Sequence, residues 1–347
     1  MGTLSIIGTG SYLPQRRIHL TDAADRHPAD SERILATGYH SVCVEETLYP
    51  ADMALIAARR ALSAADRDPA DITLLVVTAI HRHGHKRLWS PASWLQSQLG
   101  SPRALPLTVN QGCNGQMLAL ELAQGYLSGT PGGTALIVAT DQFSSSSFNR
   151  FTADYGIAYG DAAAAAILTS TAGSATDDGS GAQGAGRGWR ILATHTVAAP
   201  DLEGLHRADA PAPETPETLH TEHDVRAAKK RFLTENGAER LQHTTRAAVR
   251  EIRQQLLPGS DHPRLRRIVY PNLGLQLLRD NYFPEFPGGA DTSLWDFGRT
   301  VGHLGSGDQI AGLDHLTTQQ DFTPGDRLLL LGAGAGFTWT GTLLERN

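Results

Sequence analysis

Apolar residues along this chain recur in two ways: as short unbroken runs and at helical spacing. Ile72-Thr-Leu-Leu-Val-Val-Thr-Ala-Ile80 and Thr134-Ala-Leu-Ile-Val-Ala-Thr-Asp141 are nearly continuous apolar runs, which predicts strands buried on both faces. Leu4 to Pro14 reads as a first strand and its turn, and Ala162 to Thr169 as a small-residue strand that packs closely under a helix. Arg267 to Asn272, Arg327 to Gly334 and Phe337 to Glu345 read as later strands. Helical spacing appears over Ala51 to Ala65, where Met53, Ile56, Ala57, Arg60 and Ala61 have the right spacing and Pro69 marks the downstream stop. Further helices are predicted over Pro91 to Leu99, over most of Asp224 to Leu256 with Pro258-Gly259 behind it, and from Leu275 to Asn281. Leu107-Thr-Val-Asn-Gln-Gly-Cys113-Asn-Gly115 begins β-prone and continues as a helix, whose buried face is expected at Leu118, Leu122 and Tyr126, spaced i, i+4 and i+8.

The elements repeat in order. A helix, a strand, the helix after Cys113, a second strand, a glycine turn and a third strand make up one half. A helix, strand 267–272, a helix, strand 327–331, a glycine turn and strand 337–345 make up the other. The Gly-, Ser- and Asp-rich stretch from Ser170 to Gly188 separates them, so two α/β halves are expected at 1–172 and 186–347. Helices sandwiched between two sheets would give five layers, with a site at the junction. His206 to His220 is Pro- and Glu-rich and reads as an exposed loop.

At 347 residues the chain is long enough for this plan; 40% hydrophobic and 19% charged residues fit a globular fold. A net charge of −6 without a basic stripe argues against nucleic-acid binding. The two cysteines, Cys43 and Cys113, do not suggest a disulfide framework. With no signal-peptide pattern and no apolar run of spanning length, a cytoplasmic location is expected and no membrane association. Gly8-Thr-Gly10 lacks the third glycine and following helix of a dinucleotide loop. His81-Arg-His-Gly-His85 has no Cys or carboxylate at ligand spacing, so it reads as a loop and no metal is expected.

Two stretches carry chemistry. Cys113 sits at a strand-to-helix turn, where unpaired N–H groups and the positive end of the helix dipole favour an anionic sulfur, the nucleophilic form. Gly112 and Gly115 leave room for an acyl group. The second stretch is Thr300-Val-Gly-His303-Leu-Gly-Ser-Gly-Asp308-Gln309. A loop there would place the Asp308 carboxylate on one imidazole nitrogen of His303 and turn the other toward Cys113, the nucleophile–base–orienter arrangement.

These residues, with Thr37-Gly38, Tyr159-Gly-Asp161-Ala-Ala-Ala and Gly334-Ala-Gly336-Phe-Thr-Trp339, occur in an order and spacing that resembles the β-ketoacyl-acyl-carrier-protein synthase III family of the thiolase superfamily, over nearly the whole chain. The resemblance implies a five-layered αβαβα thiolase fold and a homodimer. It also implies Cys113 as the acylated nucleophile and an oxyanion hole from the backbone N–H groups of Cys113 and Gly336. No cofactor is implied; the acyl donor would ride on the phosphopantetheine of an acyl-carrier protein or of coenzyme A.

The departures matter more. Condensing members use a His and an Asn to decarboxylate malonyl thioester and hold the enolate. Aligned without gaps, Pro271 stands where that His would be and Gly274 at the Asn of the same run, while Gly302-His303-Leu304 replaces the Gly-Asn-Thr of the second half. The Arg that follows Thr-Gly-Ile is also missing from Thr37-Gly-Tyr-His-Ser, so coenzyme A recognition is expected to be weak or altered. A base beside an acyl-cysteine suits acyl transfer to a hydroxyl or amine, with His303 deprotonating the acceptor and Asp308 orienting it. The pattern resembles the synthase-III-like acyltransferases of natural-product pathways, which act on sugars, aminocyclitols and similar acceptors. The alternatives are a carbon–carbon condensing or starter-unit priming enzyme and a catalytically silent scaffold. A biosynthetic thiolase fits less well because the C-terminal motif lacks a second catalytic Cys. Loops 81–90, 142–155 and 196–222 are expected to shape the pocket, and no substrate-binding residue is readable.

Overall fold

The computed structural model describes residues 3–81, 88–144, 148–171, 188–207, 225–259, 262–319 and 321–347. The histidine run beyond His81, most of the 170–188 boundary and most of the 206–220 loop lie outside these residues. The first half contains β1 (Thr3–Tyr12), β2 (Arg17–His19), α1 (Leu20–Arg26), α2 (Ser31–Ala36), β3 (Ser41–Cys43), α3 (Pro50–Ala65), β4 (Ile72–Thr78), α4 (Pro91–Leu99), β5 (Leu105–Val109), α5 (Gly115–Ser128), β6 (Thr134–Asp141) and β7 (Ala162–Thr171). The second contains β8 (Trp189–Ala198), α6 (Gly204–Arg207), α7 (Val225–Asn236), α8 (Arg240–Leu256), β9 (Leu265–Val269), α9 (Leu275–Asn281), α10 (Trp295–Val301), α11 (Asp308–Gln319), β10 (Arg327–Gly334) and β11 (Thr338–Arg346).

Nine strands form one sheet in the order β5-β4-β6-β7-β1-β8-β11-β10-β9. The join between β1 and β8 is slight, at Ser5↔Arg190 and Ile6↔Trp189, and it divides the sheet into two leaves. Helix α5 packs on β4, β6 and β7 and also on β11, while α11 packs on β1 and β7 and also on β9 and β10. One helix touches both leaves only if the sheet doubles back around it. With α3 and α4 covering the outside of one leaf and α8 the outside of the other, the layers run αβαβα: this is the thiolase fold. The leaves mirror each other, with β1, β7, β6 and β4 answered by β8, β11, β10 and β9. Where β5 would have its counterpart, the described residues show only an isolated parallel bridge between Ile268 and Ser293.

Local sequence explains the packing. Added Cβ atoms at Gly8 or Gly10 would press on the Ala61 backbone of α3, so these glycines serve close strand–helix approach. The alanines of α3 at 54, 57, 58 and 61 are buried against Ile167, Val138 and Val77, which a bulkier helix face would push away. Among the described residues no helix is long and apolar enough to cross a membrane.

Several expectations need correction. The buried face of α5 is Met117, Ala119, Leu120, Ala123 and Leu127, whereas Leu122 is 56% exposed. A helix held between two leaves is covered on more than one side, so a single i, i+4 stripe does not locate its core. The run 224–256 is two helices, α7 and α8, broken at Gly237, which has a positive φ. His206 lies in the short helix α6 rather than in a loop. Strand β8 was not expected, because Trp189 to Ala198 mixes Arg, Thr and His with apolar residues. Nor was α11 expected, although it, and not α9, is the second-half counterpart of α5.

Candidate active site

The site forms where the starts of the two sandwiched helices meet. Cys113 lies in the turn between β5 and α5, immediately before Asn114, the N-cap of α5. Gly112 has φ +54°, and a Cβ there would stand 3.1 Å from Ala335 N. Asn114 Nδ2 donates to Thr338 Oγ1 at 3.0 Å and to Thr340 Oγ1 at 2.9 Å. These contacts fasten the cysteine turn to the glycine-rich segment between β10 and β11. Gly336, with φ +134°, lies beside Gln111, whose Nε2 a Cβ would meet at 3.0 Å. Cys43, by contrast, is fully buried in β3, and burial pushes its thiol up to about 12.

His303 sits between α10 and α11. Gly302 turns the chain with φ +84°, a conformation that suits glycine. The His303 backbone N–H then donates to Ala158 O at 2.8 Å, and its carbonyl accepts from Gly160 N at 2.9 Å. A Cβ at Gly160 would collide with the Val301 carbonyl, so the Tyr159-Gly-Asp161 motif serves this docking. Asp308 opens α11, 1% exposed. Its Oδ1 accepts from Leu304 N at 2.7 Å, and its Oδ2 accepts from Asn272 N at 2.8 Å and lies 2.6 Å from His303 Nδ1. A carboxylate there holds the proton on Nδ1 and leaves Nε2 facing Cys113 Sγ at 3.0 Å. The structure thus brings Cys113, His303 and Asp308 into one hydrogen-bonded line from positions 190 and 5 residues apart.

Burial opposes charge on His303, but the Asp308 carboxylate and the Cys113 sulfur outweigh it and hold the imidazole pKa well above its usual value. The Tyr159 ring lies 5.4 Å from the imidazole, and burial, with Asp154 and Cys113 nearby, keeps its phenol un-ionised by raising its pKa well above normal. Behind the site, Asp141 accepts from Ile80 N at 2.8 Å, His81 N at 3.0 Å and Ser306 N at 3.3 Å. Burial pushes its carboxyl up to about 7 despite those donors. It ties the 303–308 turn to the ends of β4 and β6, a role that its sequence position at the end of a buried run did not signal.

A cavity of about 330 Å³ opens on Cys113 and His303. Segment 142–155 contributes Asp154 and Tyr155 to its wall and segment 196–222 contributes His206, while no described residue of 81–90 lines it. Half of the lining residues come instead from α7, α8, α9 and the segments beside them, including Lys229, Leu233, Leu241, Leu277 and Tyr282. Pro271 does not line this cavity and belongs to a small separate cleft with Tyr270 and Trp295. Asn272, next to it, braces the dyad: besides its N–H to Asp308, its Nδ2 donates to Gly302 O at 3.1 Å. His81 Nδ1 meets Gln142 O at 2.9 Å, and among the described residues no group of three or more His, Cys, Asp or Glu side chains is placed to hold a metal.

Comparison with known proteins points to one family. The sequence model described as 3-oxoacyl-[acyl-carrier-protein (ACP)] synthase III matches residues 107–184, and its C-terminal companion matches residues 285–346. The β-ketoacyl-[acyl-carrier-protein] synthase III of Methylococcus capsulatus is 34% identical over 170 residues, 48% of this chain; the match spans about half, 51%, of that relative. That of Desulfotalea psychrophila is 24% identical over 98% of each chain. Among solved structures, ChlB3, described as an acyltransferase, superposes with a TM-score of 0.85 at 29% identity, covering 99% of this chain and 98% of its own.

Proposed function

Because the chain is a synthase III-like member of the thiolase superfamily, we propose that it is an acyltransferase working through a Cys113 acyl-enzyme, with a hydroxyl or amine of a sugar or other natural-product molecule as acceptor. The observation that carries this reading is the line Cys113–His303–Asp308, at 3.0 and 2.6 Å, in a cavity that Pro271 does not reach. The donor is a thioester on the phosphopantetheine of an acyl-carrier protein or of coenzyme A, and no further cofactor takes part.

Attack begins with the Cys113 proton moved to His303 Nε2, which faces the sulfur at 3.0 Å. The thiolate attacks the thioester carbonyl, and the departing pantetheine sulfur takes the proton from Nε2. The backbone N–H groups of Cys113 and Gly336 hold the oxyanion, a contribution of about 3 kcal/mol per donor where such donors have been removed. His303, now neutral, accepts the acceptor's proton as its oxygen or nitrogen attacks. The C–S bond breaks, and the thiolate–imidazolium pair is restored.

A second reading, carbon–carbon condensation, draws on one observation: His206 is another imidazole in the cavity wall. Product analysis separates the two. With acyl and malonyl thioesters plus a hydroxyl acceptor, an ester without carbon dioxide release is the expected outcome; carbon dioxide and a 3-ketoacyl product would replace this reading with the second.

The protein is also proposed to act as a homodimer. Strand β5 forms one border of the sheet, and Leu105 and Leu107 on it are 48% and 40% exposed. An apolar sheet border of this kind is suited to pairing with its own copy about a two-fold axis. Leu107→Glu is expected to convert the dimer to monomer in sedimentation velocity; unchanged sedimentation would place the contact elsewhere.

A further inference from the structure

The wall of the cavity that holds Cys113 and His303 contains a buried ion pair that the acyl-transfer steps do not use. Lys229, on α7, places Nζ 2.5 Å from Asp154 Oδ1, and the two side chains are 10% and 2% exposed. Asp154 is held from two further sides: Tyr155 N donates to its Oδ1 at 2.6 Å and the Tyr159 hydroxyl donates to its Oδ2 at 3.1 Å. Burial alone would raise the Asp154 carboxyl, but Lys229 outweighs it and keeps the group ionised. Tyr159 in turn lies against the His303 ring, so one side chain separates the pair from the imidazole that faces the reacting sulfur. Lys229, Asp154 and Tyr159 all line the cavity.

A buried ion pair is a poor stabilising device, since well-packed apolar residues of similar volume usually do as well or better. Apolar neighbours are plentiful here: Ile157, Leu233, Leu273, Leu277 and Phe337 line the same cavity. An ammonium has three donors, and among the described residues Lys229 makes one hydrogen bond, to Asp154. Its charge is already balanced by Asp154, so the remaining donors suit a neutral oxygen better than a second carboxylate. An independent observation lies in the same wall. Asn281 donates through Nδ2 to Leu277 O at 2.9 Å, which fixes its orientation, and its buried Oδ1 has no hydrogen-bond partner among the described residues. The cavity wall therefore holds a fixed cationic donor, Lys229, suited to a hydroxyl oxygen, and an unsatisfied buried acceptor in the same wall.

We propose that Lys229, oriented by Asp154, is a specificity-determining residue that recognises a hydroxyl substituent on the substrate, carried either by the acyl group or by the acceptor beside its reacting group. The inference rests on the acyl-transfer reading. The oxygen accepts from Lys229 Nζ. Selection works through the penalty of leaving the buried ammonium partnered only by Asp154 when the hydroxyl is absent, an effect of about tenfold or more for a hydrogen bond to a charged group.

The experiment compares matched pairs differing by one hydroxyl: acyl thioesters with and without it in Cys113 loading, and acceptors with and without it in transfer. Selectivity is the ratio of kcat/KM within each pair. Wild type is expected to prefer the hydroxylated member in one arm, and that arm identifies the source. Lys229→Met is expected to reduce the ratio about tenfold or more, and Lys229→Gln, which keeps a donor, to restore part of it. A purely structural role would lower both members together and leave the ratio unchanged. If wild type loads and transfers but shows no preference in either arm, or if Lys229→Met folds and keeps the wild-type ratio, the inference is overturned. If Lys229→Met does not fold, Lys229→Gln and Asp154→Asn carry the test, and unchanged ratios in both overturn it. Absence of any acyl adduct on wild type is a different result, which overturns acyl transfer itself.

Discussion

Cys113→Ala is expected to leave the protein without an acyl adduct after exposure to a panel of acyl thioesters, and to lower transfer by about 10³-fold or more, the scale on which loss of a nucleophile acting with its base is felt. The expectation rests on position. Cys113 stands one residue before the N-cap of α5, 3.0 Å from His303 Nε2, and on the wall of the cavity. Cys43 offers no substitute, because it is fully buried and burial pushes its thiol up to about 12, leaving it protonated at neutral pH. Intact mass before and after thioester treatment reads the adduct, and a thermal melt controls for folding. An adduct of unchanged yield on the alanine variant would place the nucleophile elsewhere. Cys113→Ser is expected to load slowly, since an imidazole in hydrogen-bonding reach is the partner that a hydroxyl nucleophile requires.

How much of this was legible depended on whether an element's surroundings were written in its own residues. Strand β6 was readable to its ends at Thr134 and Asp141, because a strand buried on both faces must be apolar throughout. Helix α4 was readable because Pro91 opens it and Gly100 closes it. Helix α11 was not readable: it begins Asp308-Gln309 after a run of glycines, a turn-like signature. Those two polar residues are buried for reasons supplied by partners outside the helix, Leu304 four residues before Asp308 and, from farther away, Asn272 for Asp308 and Leu331 for Gln309. The site shows the same division. Cys113, His303 and Asp308 drew notice through local glycines and spacing, and the fold brings them together. The cavity wall was illegible because α7, α8 and α9 contribute two or three side chains each, and their convergence is tertiary. Lys229 reads in sequence as one more cation in Lys229-Lys230-Arg231, and only the folded chain distinguishes it by burying it against Asp154.

The reaction type turns on His303 and Asp308. His303→Ala is expected to load Cys113 still, though slowly, while transfer to a hydroxyl acceptor falls by about 10²-fold or more, the usual scale of a lost general base. Asp308→Asn is expected to lower transfer as well, because an amide neither stabilises the imidazolium nor holds the same tautomer. It also weakens the acceptor for Leu304 N and Asn272 N, so a melt must accompany the rate. The pH dependence gives a sharper test. Burial depresses the imidazole pKa, but Asp308 and the Cys113 sulfur together raise it well above normal. Acylation consumes the sulfur's negative charge and removes one of those two causes, leaving Asp308 against burial. His303 should therefore titrate lower in the acyl-enzyme than in the free enzyme, and become a neutral base at the stage that needs one. The sign follows: transfer from preformed acyl-enzyme should rise with pH and level off above the lowered value. Equal midpoints for transfer and for His303 titration in the free enzyme would mean that acylation does not release the base. Wild-type transfer by His303→Ala would assign acceptor activation to another group.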